Sequence, residues 1–289
     1  IVIGAEEKLN LLEHLNELSV KEEKMILGSD IDHVHLFEPS YSIGDRTRSY
    51  LKIQDGCDYT CSFCTIPLAR GKSRSGTINA TIALANEVAL AGAKEIVLTG
   101  VNIGDFGAGL NETLLDLLIE LDEIEGVQRF RISSIEPNLL NNDIITFCNM
   151  SKKFVPHFHI PLQSGSNKIL KAMRRRYDRD LYVDRINSIK SLNSDTCIGV
   201  DVMVGFPGES DEDFLETYNF LNELDISYLH VFTYSERKNT YAIQINETIP
   251  KPVKAERSKT LHALSNKKRR LFYDQFISTK RDVLFDNVR

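Results

Sequence analysis

From residue 50 onward, short apolar runs of the sequence alternate with segments whose apolar residues recur at helical spacing. The apolar runs predict six strands, at 50–54, 95–99, 128–133, 154–161, 198–204 and 228–234. The segments between them predict helices at about 78–91, 111–123, 139–149, 166–173, 179–192 and 211–224. Strands and helices that alternate every roughly 30–40 residues indicate βαβ units around a parallel sheet.

Six such units predict an α/β fold, a partial (βα)6 TIM-like barrel, because the full barrel of this type has eight. In these folds the chemistry lies at the carboxyl ends of the strands. Polar residues or glycines occur at this end of every predicted strand, as in 99–104, 133–137 and 205–209. One such segment alone is typical of a turn, but their recurrence at one edge of the sheet favours a functional site.

Composition narrows the class of protein. The chain has 289 residues, of which 42% are hydrophobic and 26% charged, as in globular proteins. Its longest apolar runs, such as 198–204, are too short to cross a bilayer, and no secretory leader is visible. Five cysteines, three of them clustered, fit a reducing cytoplasm better than a disulfide framework. We therefore expect a cytoplasmic protein without a membrane partner.

The net charge of −6 conceals a basic segment at the carboxyl-terminal end. Between Lys251 and Arg281, ten Lys and Arg residues face only Glu256 and Asp274, a net charge of +8. Pro252 opens a helical pattern there, with Leu261, Leu264, Leu271 and Phe272 predicted on one side. Such a run is either a solvated helix face or a patch that binds phosphates, and composition does not choose between them.

The first predicted strand runs into a loop that holds Cys57, Cys61 and Cys64 at the spacing C-x3-C-x2-C. Three thiolates on one short loop can bind three corners of a 4Fe–4S cluster and leave the fourth iron open to a substrate. Zinc is the rival, although structural zinc sites usually use two separated pairs of ligands. Cys148 and Cys197 belong to a predicted helix and strand, and we interpret both as structural.

A cluster with an open iron inside a parallel barrel suits reductive cleavage of S-adenosylmethionine (SAM) to a 5′-deoxyadenosyl radical. Longer sequence motifs narrow the resemblance from radical SAM enzymes in general to one family. The segment from Cys64 to Ser75 resembles the P-x-x-R-G-x-x-R-S signature of the radical SAM methylthiotransferase family. Further motifs of that family have counterparts, in order, at 98–104, 131–137, 159–166, 173–177, 201–209 and 229–232. The wording of 52–57 and 133–137 is most similar to its threonylcarbamoyladenosine tRNA branch.

The resemblance implies an enzyme that inserts a methylthio group at C2 of a modified adenosine next to the tRNA anticodon. It implies one 4Fe–4S cluster and SAM here, and a second cluster in an N-terminal domain. It also implies a sulfur donor and a flavodoxin- or ferredoxin-type electron donor. We accordingly expect residues 1–40 to be a remnant of that N-terminal α/β domain plus a linker, and 41–250 to be the barrel. Residues 251–289 would form a basic helix that leads into a missing β-barrel (TRAM) domain.

The resemblance also assigns roles to individual residues. Cluster ligands are expected at Cys57, Cys61 and Cys64. The SAM-binding set is expected at Phe63, Thr99, Gly100, Ser134, Glu136, Gln163, Arg174, Arg176, Asp201, Val231 and Phe232. RNA phosphates are expected to bind Arg70, Lys72, Arg74, Lys267, Lys268, Arg269 and Arg270. For most of these a packing, turn or solvated-surface role is the plain alternative.

Two other functions stay open at this point. One is a different radical SAM enzyme, such as the isopentenyladenosine tRNA or ribosomal-protein methylthiotransferase. The other is a non-enzymatic iron–sulfur or zinc module. The basic helix argues against a protein substrate. The polar residues and glycines at the ends of all six predicted strands argue against a simple metal module.

Overall fold

The computed structural model of the chain describes residues 2–4, 7–18, 26–28, 30–31, 34–42 and 47–285. The strands are β1 Val2–Ile3, β2 Ile26–Leu27, β3 Ser40–Tyr41, β4 Arg48–Lys52, β5 Gln54–Asp55, β6 Arg74–Ser75, β7 Glu95–Thr99, β8 Arg129–Ile132, β9 His157–His159, β10 Cys197–Val204 and β11 Tyr228–Thr233. The helices are α1 Leu11–Leu18, α2 Ile66–Arg70, α3 Ile78–Leu90, α4 Leu114–Asp122, α5 Asn142–Met150, α6 Asn167–Ala172, α7 Arg179–Leu192, α8 Asp211–Glu223 and α9 Lys251–Asp274.

Six parallel strands form the body of the protein, which confirms the predicted partial barrel. Strands β4, β7 and β8 pair in that order, and so do β9, β10 and β11. A parallel bridge between Phe130 and Phe154 joins the two halves. A short strand, β3, pairs antiparallel with β4 and lies at one edge, and β11 lies at the other. The sequence pattern did not predict β3, β5, β6 or α2.

The two faces of this sheet differ because side chains alternate along each strand. In β10 the residues Ile198, Val200, Val202 and Val204 are fully buried and pack in the core with the helices. The opposite, concave face, here named the lumen, carries polar side chains such as Arg131, His159 and Asp201. The lumen therefore brings polar groups from distant parts of the chain into one cleft.

Several helices begin at side-chain caps that satisfy their first backbone N–H groups. Thr113 and Ser210 form capping boxes with Asp116 and Asp213, and Ser210 is the start predicted for α8. These caps fix where helices α4 and α8 begin.

The basic helix α9 packs against the edge strand β11. Leu261 and Leu264 are buried there, and the Ser265 hydroxyl bonds to both backbone groups of Leu229 at 2.9 and 3.0 Å. Leu271, predicted on the same apolar side, is instead 58% exposed. After α9 the chain crosses to the amino ends of the strands, where the Asp282 carbonyl accepts from Arg129 at 3.0 Å. Within the described residues, none of the helices has the length and apolar character of a membrane span.

Candidate active site

The cysteine loop lies between β5 and α2 and is held by its own sequence neighbours. Gly56 has a φ of +73°, and a Cβ there would lie 1.9 Å from the Lys72 carbonyl oxygen. The next residue, Cys57, donates its N–H to the Gly71 carbonyl at 3.1 Å. Only glycine permits this close approach of the two backbone segments. The first cysteine is thereby fixed against the end of α2.

Gln54 fastens the same loop to the next strand of the barrel. Its fully buried amide donates to the carbonyls of Asp55 and Gly56 at 3.0 and 2.8 Å. Its oxygen accepts from the backbone N–H groups of Val101 and Asn102 at 2.9 and 2.8 Å. All of these groups point inward from two strand ends, so Gln54 sets the position of the loop. Sequence reasoning placed Gln54 in the 52–57 motif but assigned it no role, because its partners on the next strand are distant in the chain.

Each of the three loop sulfurs accepts an N–H donor. The backbone N–H groups of Tyr59 and Ile66 point to Cys57 Sγ and Cys64 Sγ, both at 3.4 Å. The Arg175 guanidinium donates to Cys61 Sγ at 3.1 Å. Such donors stabilise negative charge on sulfur, which iron–sulfur ligation requires.

The thiol set fits a cluster that needs three cysteines. All three are free and half-buried. Burial raises the pKa of Cys57 to about 11 and also raises that of Cys64, so the charged form depends on bound metal or donated hydrogen bonds. Among the described residues no three His, Cys, Asp or Glu side chains converge tightly enough for a single metal ion. A cube ligated at its corners does not require such convergence.

Arg175 is the central side chain of the site, and sequence reasoning chose its two neighbours instead. Its side chain is 5% exposed and forms an ion pair with Glu136, one of the predicted cofactor residues. It also donates to the Tyr177 hydroxyl at 3.0 Å. That hydroxyl in turn donates to the carbonyls of Pro161 and Leu162. Burial by itself would lower the pKa of Arg175, but its interactions with Tyr177, Glu136 and Cys61 outweigh burial and raise the pKa.

The two predicted arginines lie outward of this centre. Arg174 has a φ of +57° and stacks on the Tyr241 ring, 3.9 Å from its centroid. Arg176 stacks on the Tyr59 ring at 3.9 Å and donates to the Asp58 carbonyl at 3.2 Å. Both are exposed and stay predictions for cofactor binding. The left-handed turn at Arg174 is what directs the next arginine inward.

The predicted cofactor residues at the end of β7 and after β9 contact the rest of the fold through their backbone atoms. The Thr99 carbonyl accepts from the Ile53 N–H at 2.9 Å. A Cβ at Gly100 would meet the Ile103 side chain at 2.7 Å. Gln163 adopts a φ of +70°, unusual for a residue with a side chain, and pairs its backbone with β10. Non-glycine residues held in this region cluster at functional sites.

Asp201 lies in the lumen and hydrogen-bonds to His159 at 2.7 Å. His159 stacks on His230 with ring centroids 5.1 Å apart and planes 6° apart. The three residues come from β9, β10 and β11, so the sheet assembles them from three separate strands. Asp201 was predicted, whereas the two histidines were not assigned a role.

The remaining predicted cofactor residues divide by exposure. Phe63 is half-buried against a small cluster that includes Met173 and Phe206. Ser134 is half-buried beyond the end of β8. On the edge strand, Val231 packs on the core while Phe232 is 51% exposed. Their assignment to SAM stays a prediction.

The predicted RNA-binding residues do not all present their charge to solvent. Arg74 is 9% exposed and pairs with Asp55, and Lys268 donates to the carbonyls of Asn222 and Leu224. Exposed cations remain at Arg70, Lys72, Lys267, Arg269 and Arg270. The first pair lies beside the cysteine loop and the other three on α9, so the exposed basic residues form two separate groups.

Comparison with known proteins decides the family. The profile of the radical SAM superfamily matches residues 51–221. A threonylcarbamoyladenosine tRNA methylthiotransferase (MtaB) of Aquifex aeolicus is 39% identical over 95% of this chain and 68% of its own length. The chain belongs to the radical SAM tRNA methylthiotransferases. MtaB of Bacillus subtilis is 40% identical over 96% of the chain but 62% of its own length, so the chain spans less than two thirds of that relative.

Two further comparisons place this radical SAM methylthiotransferase chain more broadly. The tRNA-2-methylthio-N6-dimethylallyladenosine synthase of Rickettsia rickettsii (strain Sheila Smith) is 34% identical over 99% of the chain and 65% of its own length. Coproporphyrinogen III oxidase of Escherichia coli, a radical SAM enzyme, has the same fold with a TM-score of 0.57 at 17% identity, covering 76% of this chain and 52% of that one. The latter supports the barrel alone.

Proposed function

We propose that this chain is the radical-generating core of a tRNA methylthiotransferase. The observation that carries the proposal is the cysteine loop, in which three free thiols each accept an N–H donor at the mouth of a parallel barrel. Cys57, Cys61 and Cys64 would hold a 4Fe–4S cluster. When bound, the cluster supplies the electron that cleaves SAM to a 5′-deoxyadenosyl radical.

The chain's own residues prepare this chemistry. Gln54 and Gly56 fix the loop, and Arg175 orients Cys61 while holding the Glu136 carboxylate at the mouth. The outer face of the sheet is packed with apolar side chains, so the polar groups of the strands are available in the lumen. The residues predicted for SAM surround this mouth and are proposed to bind it.

For the substrate we propose N6-threonylcarbamoyladenosine next to the anticodon of tRNA, methylthiolated at C2. The most similar relatives quoted above carry this activity in their names. Exposed cations beside the loop and on α9 would bind the anticodon stem-loop. Residues 1–40 and 251–289 would adjoin a second-cluster domain and a TRAM domain. A flavodoxin- or ferredoxin-type electron donor and a sulfur donor in the cytoplasm complete the proposal.

Anaerobic reconstitution tests the cluster. We expect iron–sulfur absorbance and, with dithionite and SAM, release of 5′-deoxyadenosine. Cys61→Ser should lose both, while Cys148→Ser, a buried thiol outside the loop, should keep both. Wild-type protein that binds no iron–sulfur cluster would refute the proposed core.

Mass spectrometry of tRNA nucleosides tests the substrate. A deletion strain that carries the full-length protein should regain the methylthio derivative of threonylcarbamoyladenosine. The second candidate is the dimethylallyladenosine derivative, favoured by the relative from Rickettsia rickettsii. Appearance of that nucleoside instead would reassign the substrate and leave the radical core intact.

A further inference from the structure

A cavity of about 420 Å³ opens beside the cysteine loop, at the carboxyl ends of β4 and β7. Its lining includes Lys52, Tyr50, Thr99 and Gly100. Lys52 is the last residue of β4, and its register partners are Ser40 on β3 and Thr99 on β7. Since Leu51 points into the core, Lys52 points to the opposite, lumen face. The cavity is thus a lateral extension of the lumen.

The Lys52 ammonium has no anionic partner among the described residues. Its contact there is the Phe37 ring, 5.4 Å from Nζ to the centroid. Lysines at such positions usually pair with a carboxylate or reach water. The ammonium is half-buried, so it is available to a ligand that enters the cavity.

The nearby carboxylate, Asp55, is already engaged. It accepts from Arg70 at 2.9 Å, from Arg74 at 3.2 Å and from the Gly56 N–H at 2.9 Å. Burial lowers the pKa of Lys52. Asp55 offsets only part of that decrease, because three other cations near Lys52 lower its pKa further. The cavity therefore has an excess of positive charge, which a bound anion would neutralise.

We propose that Lys52 binds the carboxylate of the threonylcarbamoyl group of the substrate, and so selects an acidic over an apolar modification of the adenosine. The proposal rests on the proposed function. A dimethylallyl group has no charge and would leave this half-buried ammonium unpaired, whereas a carboxylate forms a charge-assisted hydrogen bond with it. The same cavity is also lined by Asp55, which immediately precedes the cysteine loop. A substrate carboxylate bound to Lys52 would therefore hold the attached base beside the site of radical formation.

The test uses the reconstituted full-length protein and a pair of anticodon stem-loop RNAs. One RNA carries threonylcarbamoyladenosine and the other carries its methyl ester, which lacks the negative charge but keeps the shape. Fluorescence anisotropy measures Kd for both. Wild-type protein should prefer the acid by about tenfold to a hundredfold, the range for a hydrogen bond between charged groups.

Lys52→Met should bind both RNAs equally and with the affinity that wild type shows for the ester. Lys52→Arg should retain most of the preference, because it keeps the charge. The exposed Lys152→Met is the matched control and should behave as wild type. Since Lys52 forms no ion pair within the described residues, and its contact with the Phe37 ring is a weak one, its replacement should shift the unfolding midpoint very little.

Three outcomes would overturn the assignment. Equal binding of acid and ester by wild type would exclude a carboxylate reader. A uniform loss of both RNAs in Lys52→Met would make Lys52 a phosphate contact, and weaker SAM binding instead would assign it to the methionine carboxylate. If 5′-deoxyadenosine release and nucleoside methylthiolation persist in any of these cases, the proposed function stands while this inference fails.

Discussion

Replacing Arg175 is the sharpest test of how the site is held together. Arg175→Met keeps the volume of the side chain but removes its charge from a position that is 5% exposed, opposite a Glu136 carboxylate that is 16% exposed. Removing one partner of a buried ion pair costs about 3–5 kcal/mol, because the remaining charge is left unpaired. We expect the free energy of unfolding to fall by that amount.

Thermal and urea unfolding of cluster-free protein measures the effect without any contribution from iron. A domain of this size loses roughly 2–4 °C of Tm per kcal/mol, so Tm should fall by about 6 °C or more. Arg174→Met is the matched control from the same arginine run. It removes an exposed stacking contact with Tyr241, worth about 0.5–1 kcal/mol.

The double variant Arg175→Met with Glu136→Gln supplies the decisive comparison. If the cost arises from an unpaired carboxylate, neutralising Glu136 should restore a large part of the lost stability. Equal stability of Arg175→Met and wild type, or a double variant no more stable than the single one, would refute this account of the ion pair.

Further predictions concern the loop, the cluster and the lumen. Gly56→Ala should destabilise the protein by about 1–3 kcal/mol in urea unfolding, since φ is +73° and the new Cβ meets a carbonyl; an unchanged midpoint would refute the close approach. Arg175→Lys should make the midpoint potential of the reconstituted cluster more negative in spectroelectrochemistry, because the planar guanidinium that donates to Cys61 Sγ is lost. An unshifted or more positive potential would show that this hydrogen bond does not tune the potential. Burial, and then Arg131, lower the pKa of His157 from 6.5 to about 3. The unfolded chain therefore binds the proton first, and stability should fall as pH drops from 6.5 toward 3. His157→Phe should flatten that part of the urea-midpoint curve, and a curve of the wild-type slope would contradict it.

The local pattern of the sequence was enough to predict the six strands, their parallel arrangement and the approximate limits of most helices. Strand and helix periodicity depend on residues close in the chain, and so do caps such as Ser210 with Asp213. The spacing of the three cysteines likewise places the thiols on one loop whatever surrounds them. These features depend only on residues that are close in the sequence, so they can be predicted without the tertiary structure.

Which polar side chains face the site was decided only by the tertiary structure. Three consecutive arginines are equivalent in the sequence, and a left-handed residue at Arg174 turns Arg175 toward Cys61 and Glu136. Arg74 and Lys268 are predicted phosphate ligands in the sequence, and the structure adds that Arg74 pairs with Asp55 and that Lys268 donates to backbone carbonyls. The direction of a long charged side chain depends on partners distant in sequence, because a buried charge must be paired where the fold places it. The sequence by itself determines which charged residues are present, whereas the folded barrel determines which groups they pair with.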